Sequence, residues 1–261
     1  MTVENPGAEG LGEVSLATGG HTESRNVLLK AGETAKVTFT DLSIAKDGSQ
    51  RAQAGSLTKD FTVLPKPAGH AVSAPYLSIN NAEGRMEQLD GAGFYITAAG
   101  DIAQCCLYRA DTYGAAYRKA ILSRNGSVVT RVENPDLHAA WAGEIGIMVR
   151  NDISKPGEPG GYVVLTASPS SGYYMQWDSS ATGRVDKHSE MDGYTYWPGW
   201  MKLDRKGNTF IGYYSKNGSD WVKVGEAEVG GANDMQDAGV FTHLSSARFT
   251  DFKVENGTPL K

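Results

Sequence analysis

The stretch "FIGYYSKNGSDWVKV", residues 210–224, reads as two strands joined by a tight turn. Apolar and polar residues alternate in the preceding "NTFIGYYS", residues 208–215, as in a strand with one buried face. Asn217-Gly218 is the pair that a two-residue type I′ turn favours, because both central residues need positive φ. We therefore predict a hairpin in which Ser215 bonds the turn backbone and Trp221 folds back as a packing anchor.

The same alternation recurs along the chain and predicts an all-β protein. Turn signals rich in Gly, Asn, Asp and Pro separate the alternating segments, as is typical of β-sandwiches. Only residues 113–122 carry apolar side chains at helical spacing, at Tyr113, Tyr117 and Ala120, which allows one turn or a short helix there. The other alternating segments are 36–42, 144–150, 162–168 and 248–255.

A domain boundary is predicted at "VLPKPAGH", residues 63–70, where two prolines and a glycine follow a strand-like segment. Residues 1–66 then form a small module and residues 71–261 a larger one. In the small module, a strand, a polar turn, "LKAGETAKVTF" and a final strand resemble the immunoglobulin-like modules of bacterial surface proteins and secreted glycosidases. The resemblance implies a small Ig-like sandwich that acts as a spacer and lacks its first strand.

Composition excludes some classes of partner. The 261 residues include 25 basic and 30 acidic ones, for a formal net charge of −5, so the charge gives no reason to expect nucleic acid. No apolar run approaches the roughly 18–20 residues that span a bilayer. The opening "MTVENPGAEG" has no apolar signal-peptide core. We interpret the chain as a fragment of a secreted or cell-surface protein whose signal lies upstream.

The two cysteines, Cys105 and Cys106, are adjacent and have no metal-ligand spacing. Neighbouring side chains of a strand point to opposite faces, so we predict that the two thiols are unlinked.

Four motifs in the larger module carry a family resemblance. They are a Gly-x-Met-x-Arg strand, a Trp-x-x-Leu-x-Arg-x-Gly-Asn strand, a Tyr-Ser-x-Asn-Gly-x-x-Trp hairpin and a Phe-x-Asp-x-x-Val strand. Their residues are Gly146, Met148 and Arg150; Trp200, Leu203, Arg205, Gly207 and Asn208; Tyr214, Ser215, Asn217, Gly218 and Trp221; and Phe249, Asp251 and Val254. This series resembles the concanavalin-like, laminin-G-like jelly rolls, and most closely the subgroup related to the yeast regulation-of-enolase protein, often appended to bacterial carbohydrate-active enzymes. Asn217 replaces the usual Asp of the subgroup, and both residues tolerate a left-handed turn.

No catalytic motif of the related enzymes is complete here. Endo-acting glycosidases of this superfamily use Glu-x-Asp-x-x-Glu on one strand, and "EMDGYT", residues 190–195, lacks the second glutamate. Lyases of similar fold cluster Arg, Gln, His and Tyr, but no such strand motif accompanies His188. A sialidase-type repeat has one more residue before its glycine and recurs several times, whereas the hairpin occurs once. We therefore predict no catalytic residue.

A sugar-binding surface is predicted in "SGYYMQWDSSATGRVDKHSEMDGYTYWPGW", residues 171–200. Neutral sugars are recognised by aromatic faces together with polar groups that fork onto vicinal hydroxyls. Three of its aromatic residues lie in a loop flanked by Gly and Pro, where core packing explains them poorly, and Tyr174, Gln176 and Asp178 share one face of the preceding strand. The predicted ligand-binding residues are Trp197, Tyr196, Tyr194, Tyr174, Gln176, Asp178, Arg150 and His188.

Three side chains of the larger module fit two interpretations each. Arg150 fits a groove residue or a buried ion pair with an acid such as Asp251, while Trp177 and Trp200 fit either the core or a ligand contact.

The resemblance also allows a structural calcium, because related sandwiches hold one through carboxylates and backbone carbonyls. No Asp-x-Asp-x-Asp-Gly loop is present. The candidate ligands are Asp90 and Asp251 first, then Asp101, Asp152, Glu158 and Glu255.

These observations predict an all-β chain with a small Ig-like sandwich followed by a concanavalin-like jelly-roll β-sandwich. Its predicted function is non-catalytic binding of a poly- or oligosaccharide, as part of a larger secreted glycan-degrading enzyme whose catalytic domain lies upstream in the same polypeptide. The alternatives are a structural or adhesive surface module without a sugar site, and a polysaccharide lyase or glycosidase with an unrecognised site.

Overall fold

The computed structural model describes residues 2–18, 21–39, 48–54, 57–63, 69–100, 102, 111–133, 143–168, 170–191, 193 and 198–257. The chain divides into two compact units, Met1–Pro67 and Ala68–Lys261. Every regular element of the described residues is a β-strand, so the all-β prediction is confirmed. No helix in this described part has the length and hydropathy that a membrane crossing needs.

The described residues of the first unit form six strands in two antiparallel sheets. One sheet has the order β3-β2-β5-β6, and β1 pairs with β4 in the other. The strands are β1 (Thr2–Glu4), β2 (Gly10–Thr18), β3 (His21–Leu29), β4 (Thr34–Lys36), β5 (Gly48–Ala54) and β6 (Leu57–Val63). The predicted strand 36–42 is wrong for residues 37–39, which are irregular. β1 begins at Thr2, opposite Lys36, so no strand lies opposite residues 37–39 in the described part.

Fourteen strands lie in the part of the second unit that the structure describes. The first seven are β7 (Leu77–Asn80), β8 (Gly84–Leu89), β9 (Gly93–Ala98), β10 (Gly114–Leu122), β11 (Asn125–Glu133), β12 (Glu144–Arg150) and β13 (Val163–Ser168). The others are β14 (Gly172–Trp177), β15 (Lys187–His188), β16 (Gly199–Lys206), β17 (Thr209–Ser215), β18 (Val222–Glu228), β19 (Gln236–His243) and β20 (Ser245–Asn256). The predicted strands 144–150, 162–168, 208–215 and 248–255 correspond to β12, β13, β17 and part of β20.

These strands form two seven-stranded antiparallel sheets that pack face to face. Sheet I has the order β15-β14-β13-β12-β19-β10-β7, and sheet II has the order β18-β17-β16-β11-β20-β9-β8. Side chains from both sheets meet in one apolar core, for example Ile147 and Leu165 of sheet I with Phe210 and Phe249 of sheet II. Burying each such side chain stabilises the fold by roughly 1.5–3 kcal/mol. The arrangement is a jelly-roll sandwich of the concanavalin-like type.

The short helix that the apolar spacing of residues 113–122 allowed does not form, because Gly114–Leu122 is strand β10. β10 pairs with β19 on one side and with β7 on the other, and these ladders override the local apolar spacing. The register shifts between Arg118 and Leu122, where Ala120 takes a φ of 48°. This bulge disturbs the alternation and produces the helix-like spacing seen in the sequence.

Candidate functional site

The hairpin between β17 and β18 has the predicted glycine geometry but a wider loop than predicted. Gly218 has a φ of 80°, which confirms the prediction of positive φ. Asn217 does not share it, and the strand ladder closes at Tyr214 and Val222, so the two-residue type I′ turn is wrong. The Ser215 hydroxyl accepts the amides of Asn217 and Gly218, at 3.3 and 3.0 Å. These side-chain bonds allow the loop to be longer than a two-residue turn.

Gly218→Ala is expected to lower the free energy of unfolding by about 1 kcal/mol or more. The added Cβ takes an unfavourable φ and lies 3.0 Å from the indole ring of Trp200. Gly207 is the matched control, because its φ is also positive, at 64°, but nothing lies within 4 Å of its added Cβ. Denaturant unfolding should show a larger loss for Gly218→Ala than for Gly207→Ala. Equal losses would show that the Trp200 contact costs nothing.

This hairpin forms one wall of a groove of about 650 Å³ on the face of sheet II that points away from the core. Strands β11, β16 and β20 provide the rest of its lining. We call it the sheet II groove, and its lining residues are Ser127, Val129, Trp200, Lys202, Asp204, Gly218, Trp221, Asp251, Phe252, Lys253 and Glu255.

Two tryptophan rings give the groove an aromatic surface. Trp200 and Trp221 are both partly exposed. The Lys202 ammonium lies 4.9 Å from the centre of the Trp221 ring and 4.4 Å from that of Tyr213. These contacts hold the indole over the strand. Burial raises the pKa of Tyr213 above its ordinary value.

Charged side chains give the same groove its polar surface. Lys202 Nζ lies 3.4 Å from Asp204 Oδ2, and the other carboxylate oxygen, Oδ1, accepts the Ser127 hydroxyl at 2.6 Å. Lys253 pairs with Glu255 at 2.8 Å. The sequence analysis treated Trp221 as a packing anchor and Trp200 as core or ligand contact. It missed the groove, because the lining comes from strands that are distant in sequence.

The predicted residues Tyr174 and Gln176 lie on the outward face of sheet I. Their neighbours Tyr173 and Met175 point into the core. Tyr174 donates its hydroxyl to Glu144, and Gln176 Nε2 donates to the other oxygen of Glu144 at 2.6 Å. His243 Nε2 lies 3.0 Å from that oxygen. These four buried side chains form a polar cluster, which we call the sheet I cluster.

Glu144 and His243 were missed by the sequence analysis. They are 99 positions apart in the numbering and become neighbours only because β12 and β19 pair with Glu144 opposite His243. Their single signal in the sequence is a polar residue at the end of a strand, which is too common to identify a site.

Arg150 is buried in an ion pair, and the structure places it far along β12 from Glu144. Its guanidinium contacts Asp111 at 2.5 Å, donates to the Gly183 carbonyl at 2.7 Å and stacks on Tyr162 at 4.2 Å. Burial lowers the pKa of Arg150, but Tyr162 and Asp111 raise it by more, so the net shift is upward. Of the two interpretations, the buried ion pair holds, with Asp111 in place of Asp251 as its partner.

Asp178 and His188 do not join the sheet I cluster. The buried Asp178 carboxylate accepts the amides of Ser180, Thr182 and Gly183, so it organises the loop after β14. His188 is exposed on β15, at the edge of sheet I. Its ring nitrogen Nδ1 lies 2.9 Å from the Ser189 carbonyl.

Several other predictions lie outside the described residues. These are the aromatic loop residues Tyr194, Tyr196 and Trp197, the cysteines Cys105 and Cys106, and the calcium candidate Asp101.

The remaining calcium candidates do not come together. Asp90 is exposed between β8 and β9, Asp251 and Glu255 line the sheet II groove, and Asp152 accepts the Ser154 amide at 3.0 Å. Glu158 is exposed. In the described part of the chain, no group of three or more His, Cys, Asp or Glu side chains is placed to hold a metal ion.

No family model and no curated protein matches the chain. Solved structures are similar to it. A functionally unknown protein from Saccharomyces cerevisiae has 13% identity and a TM-score of 0.51, over 70% of this chain and 97% of that one. The GH43 protein BlXynB from Bacillus licheniformis has 12% identity and a TM-score of 0.52, over 90% of this chain and 47% of that one. This chain therefore spans about half the length of BlXynB. At such identities the likeness establishes the fold alone.

Proposed function

We propose that this chain binds carbohydrate through the sheet II groove. The observation that carries the proposal is the pair of partly exposed indole rings, Trp200 and Trp221, beside paired charges in an open groove of about 650 Å³. Aromatic rings that are partly exposed side by side in a groove keep apolar surface in contact with water, and such grooves often bind a ligand.

The groove offers the two kinds of contact that a sugar ring needs. An indole face packs against the apolar C–H face of the ring and removes both surfaces from water. Lys253 and Glu255 can then hydrogen-bond vicinal hydroxyls, because one is a donor and the other an acceptor. The floor of Val129 and Phe252 is apolar and buried, so the polar contacts lie at the rim.

The finer parts of the proposal concern the family of each unit and the protein to which both units belong. We assign the second unit to the subgroup related to the regulation-of-enolase protein, and the first to an Ig-like spacer. Both belong to a larger, secreted glycan-degrading enzyme with its catalytic domain upstream. The motif series supports the first assignment. The likeness to BlXynB, a GH43 protein of about twice the length, supports an origin in a larger protein.

The proposal predicts that the full chain is retarded by a polysaccharide in a native affinity gel. We expect a Kd between roughly micromolar and millimolar. No new reducing ends or unsaturated uronates should appear during prolonged incubation. A panel of neutral, basic and acidic polysaccharides in which none retards the chain would contradict the proposal, and product release would contradict its non-catalytic part.

The sheet I cluster is a second candidate, because three of its buried polar atoms have no hydrogen-bond partner among the described residues. These atoms are Gln176 Oε1 and both ring nitrogens of His243, of which Nε2 lies 3.0 Å from a Glu144 oxygen. A carboxylate, a phenol and an imidazole together can move protons, which would suit a glycosidase or lyase. His243→Gln removes the imidazole, so it should abolish any turnover found in the product assay and leave groove binding unchanged.

A further inference from the structure

The charges of the sheet II groove indicate which class of glycan it selects. Its lining has three carboxylates, on Asp204, Asp251 and Glu255, and two ammonium groups, on Lys202 and Lys253, so its net charge is −1. Polyanionic glycans are disfavoured by this balance.

Both lysines of the groove are already engaged. Lys202 is held by Asp204 and by two aromatic rings, and Lys253 is held by Glu255. The Asp251 carboxylate is the remaining charge. It is exposed and has no ion-pair partner in the described part of the chain.

Asp251 lies in the groove because the backbone of β20 is irregular at this residue. Its φ is 54°, and the pairing of β20 with β11 shifts register at this point, between Val129 and Arg131. A bulge of this kind turns a side chain away from its regular position on the strand. The same bulge brings Phe252 into both the core and the groove floor.

We propose that the sheet II groove selects glycans that carry free amino groups. This inference rests on the proposed function and adds its ligand class. The Asp251 carboxylate pairs with the protonated amine of one sugar residue, while the Trp221 ring packs against the C–H face of a sugar in the same chain. An N-acetylated residue has no positive charge and loses the ion pair, although it keeps the stacking contact.

The test compares four oligosaccharides of six residues by calorimetry with the full chain at slightly acidic pH. They are the hexamers of glucosamine, N-acetylglucosamine, glucose in β-1,4 linkage and galacturonate. We expect the glucosamine hexamer to bind at least tenfold more tightly than its N-acetylated counterpart, with the galacturonate hexamer weakest. Equal affinities for the first two would overturn the inference and leave the proposed function standing. If none of the four binds, the inference fails, and the polysaccharide panel described above decides whether the proposed function stands.

Asp251→Asn assigns the preference to one side chain, because asparagine also tolerates positive φ. The glucosamine preference should fall below threefold in this variant, while the N-acetylated hexamer keeps its wild-type affinity. Asp234→Asn is the matched control, since Asp234 is an exposed carboxylate outside the groove lining, and it should keep the full preference. A preference that survives Asp251→Asn would overturn the inference. Added EDTA should change nothing, and a lost preference would assign Asp251 to a cation instead.

Discussion

Replacing Arg150 by methionine should lower the free energy of unfolding by about 3–5 kcal/mol. Methionine keeps the apolar stem but removes the guanidinium, so the Asp111 carboxylate stays buried with only the Gly157 amide as a described donor, at 2.6 Å. The stack on Tyr162 and the bond to the Gly183 carbonyl are lost as well. This loss is a large part of the 5–15 kcal/mol that stabilises a typical domain. Urea unfolding at neutral pH measures it.

Arg205 provides the matched control, because it is a second buried arginine and no carboxylate of the described residues forms an ion pair with it. Its guanidinium donates to the backbone carbonyls of Gly207, Leu122 and Asn233. Burial lowers its pKa to about 10, the opposite direction from Arg150. Arg205→Met leaves no buried anion, so it should cost clearly less than Arg150→Met. The double variant Arg150→Met/Asp111→Leu should recover part of the loss. Equal costs for the two arginines would contradict the ion-pair account.

Replacing Trp221 by alanine should weaken glycan binding by about 1–3 kcal/mol, the transfer free energy of roughly half an indole surface. This corresponds to a rise in Kd of about 5- to 150-fold. The melting temperature should change little, because Trp221 lies in the hairpin loop and is partly exposed. Trp200 is less suitable for this experiment, since its ring also supports Gly218.

Trp197→Ala tests the competing location, the aromatic loop that the sequence predicted as the sugar platform. The groove account expects Trp197→Ala to keep wild-type affinity. If Trp197→Ala loses affinity and Trp221→Ala does not, the glycan binds the aromatic loop and not the sheet II groove.

Much of the fold could be predicted from the sequence, because a strand with one buried face alternates between apolar and polar residues. β17 follows this alternation, whereas β12 and β13 are buried along their whole length; all three begin and end within a residue of their predicted bounds. The prediction failed where backbone pairing overrode the local pattern. β10 carries a bulge at Ala120, stabilised when the Asp237 carboxylate accepts the Ala120 amide at 2.8 Å. That contact joins residues 117 positions apart, so no local window contains it.

The candidate site was harder to predict for the same reason. The sequence placed ligand residues in one segment, but the groove is built from β11, β16, β20 and the hairpin loop. Asp251 was predicted as a calcium ligand and Trp221 as a packing residue, and only the strand order of sheet II brings them to one groove. Arg150 illustrates a further limit, because its partner Asp111 lies in a segment without any motif.

An NMR titration of the full chain with an oligosaccharide of the class that retards it tests the central claim most directly. The five tryptophans give separate indole N–H signals once each is assigned by substitution. The account predicts shifts of the Trp221 and Trp200 indoles and of the Gly218 amide, with the Gln176 and His243 signals unchanged. Shifts confined to Trp197 or to the sheet I cluster, with Trp221 unaffected at saturation, would contradict it.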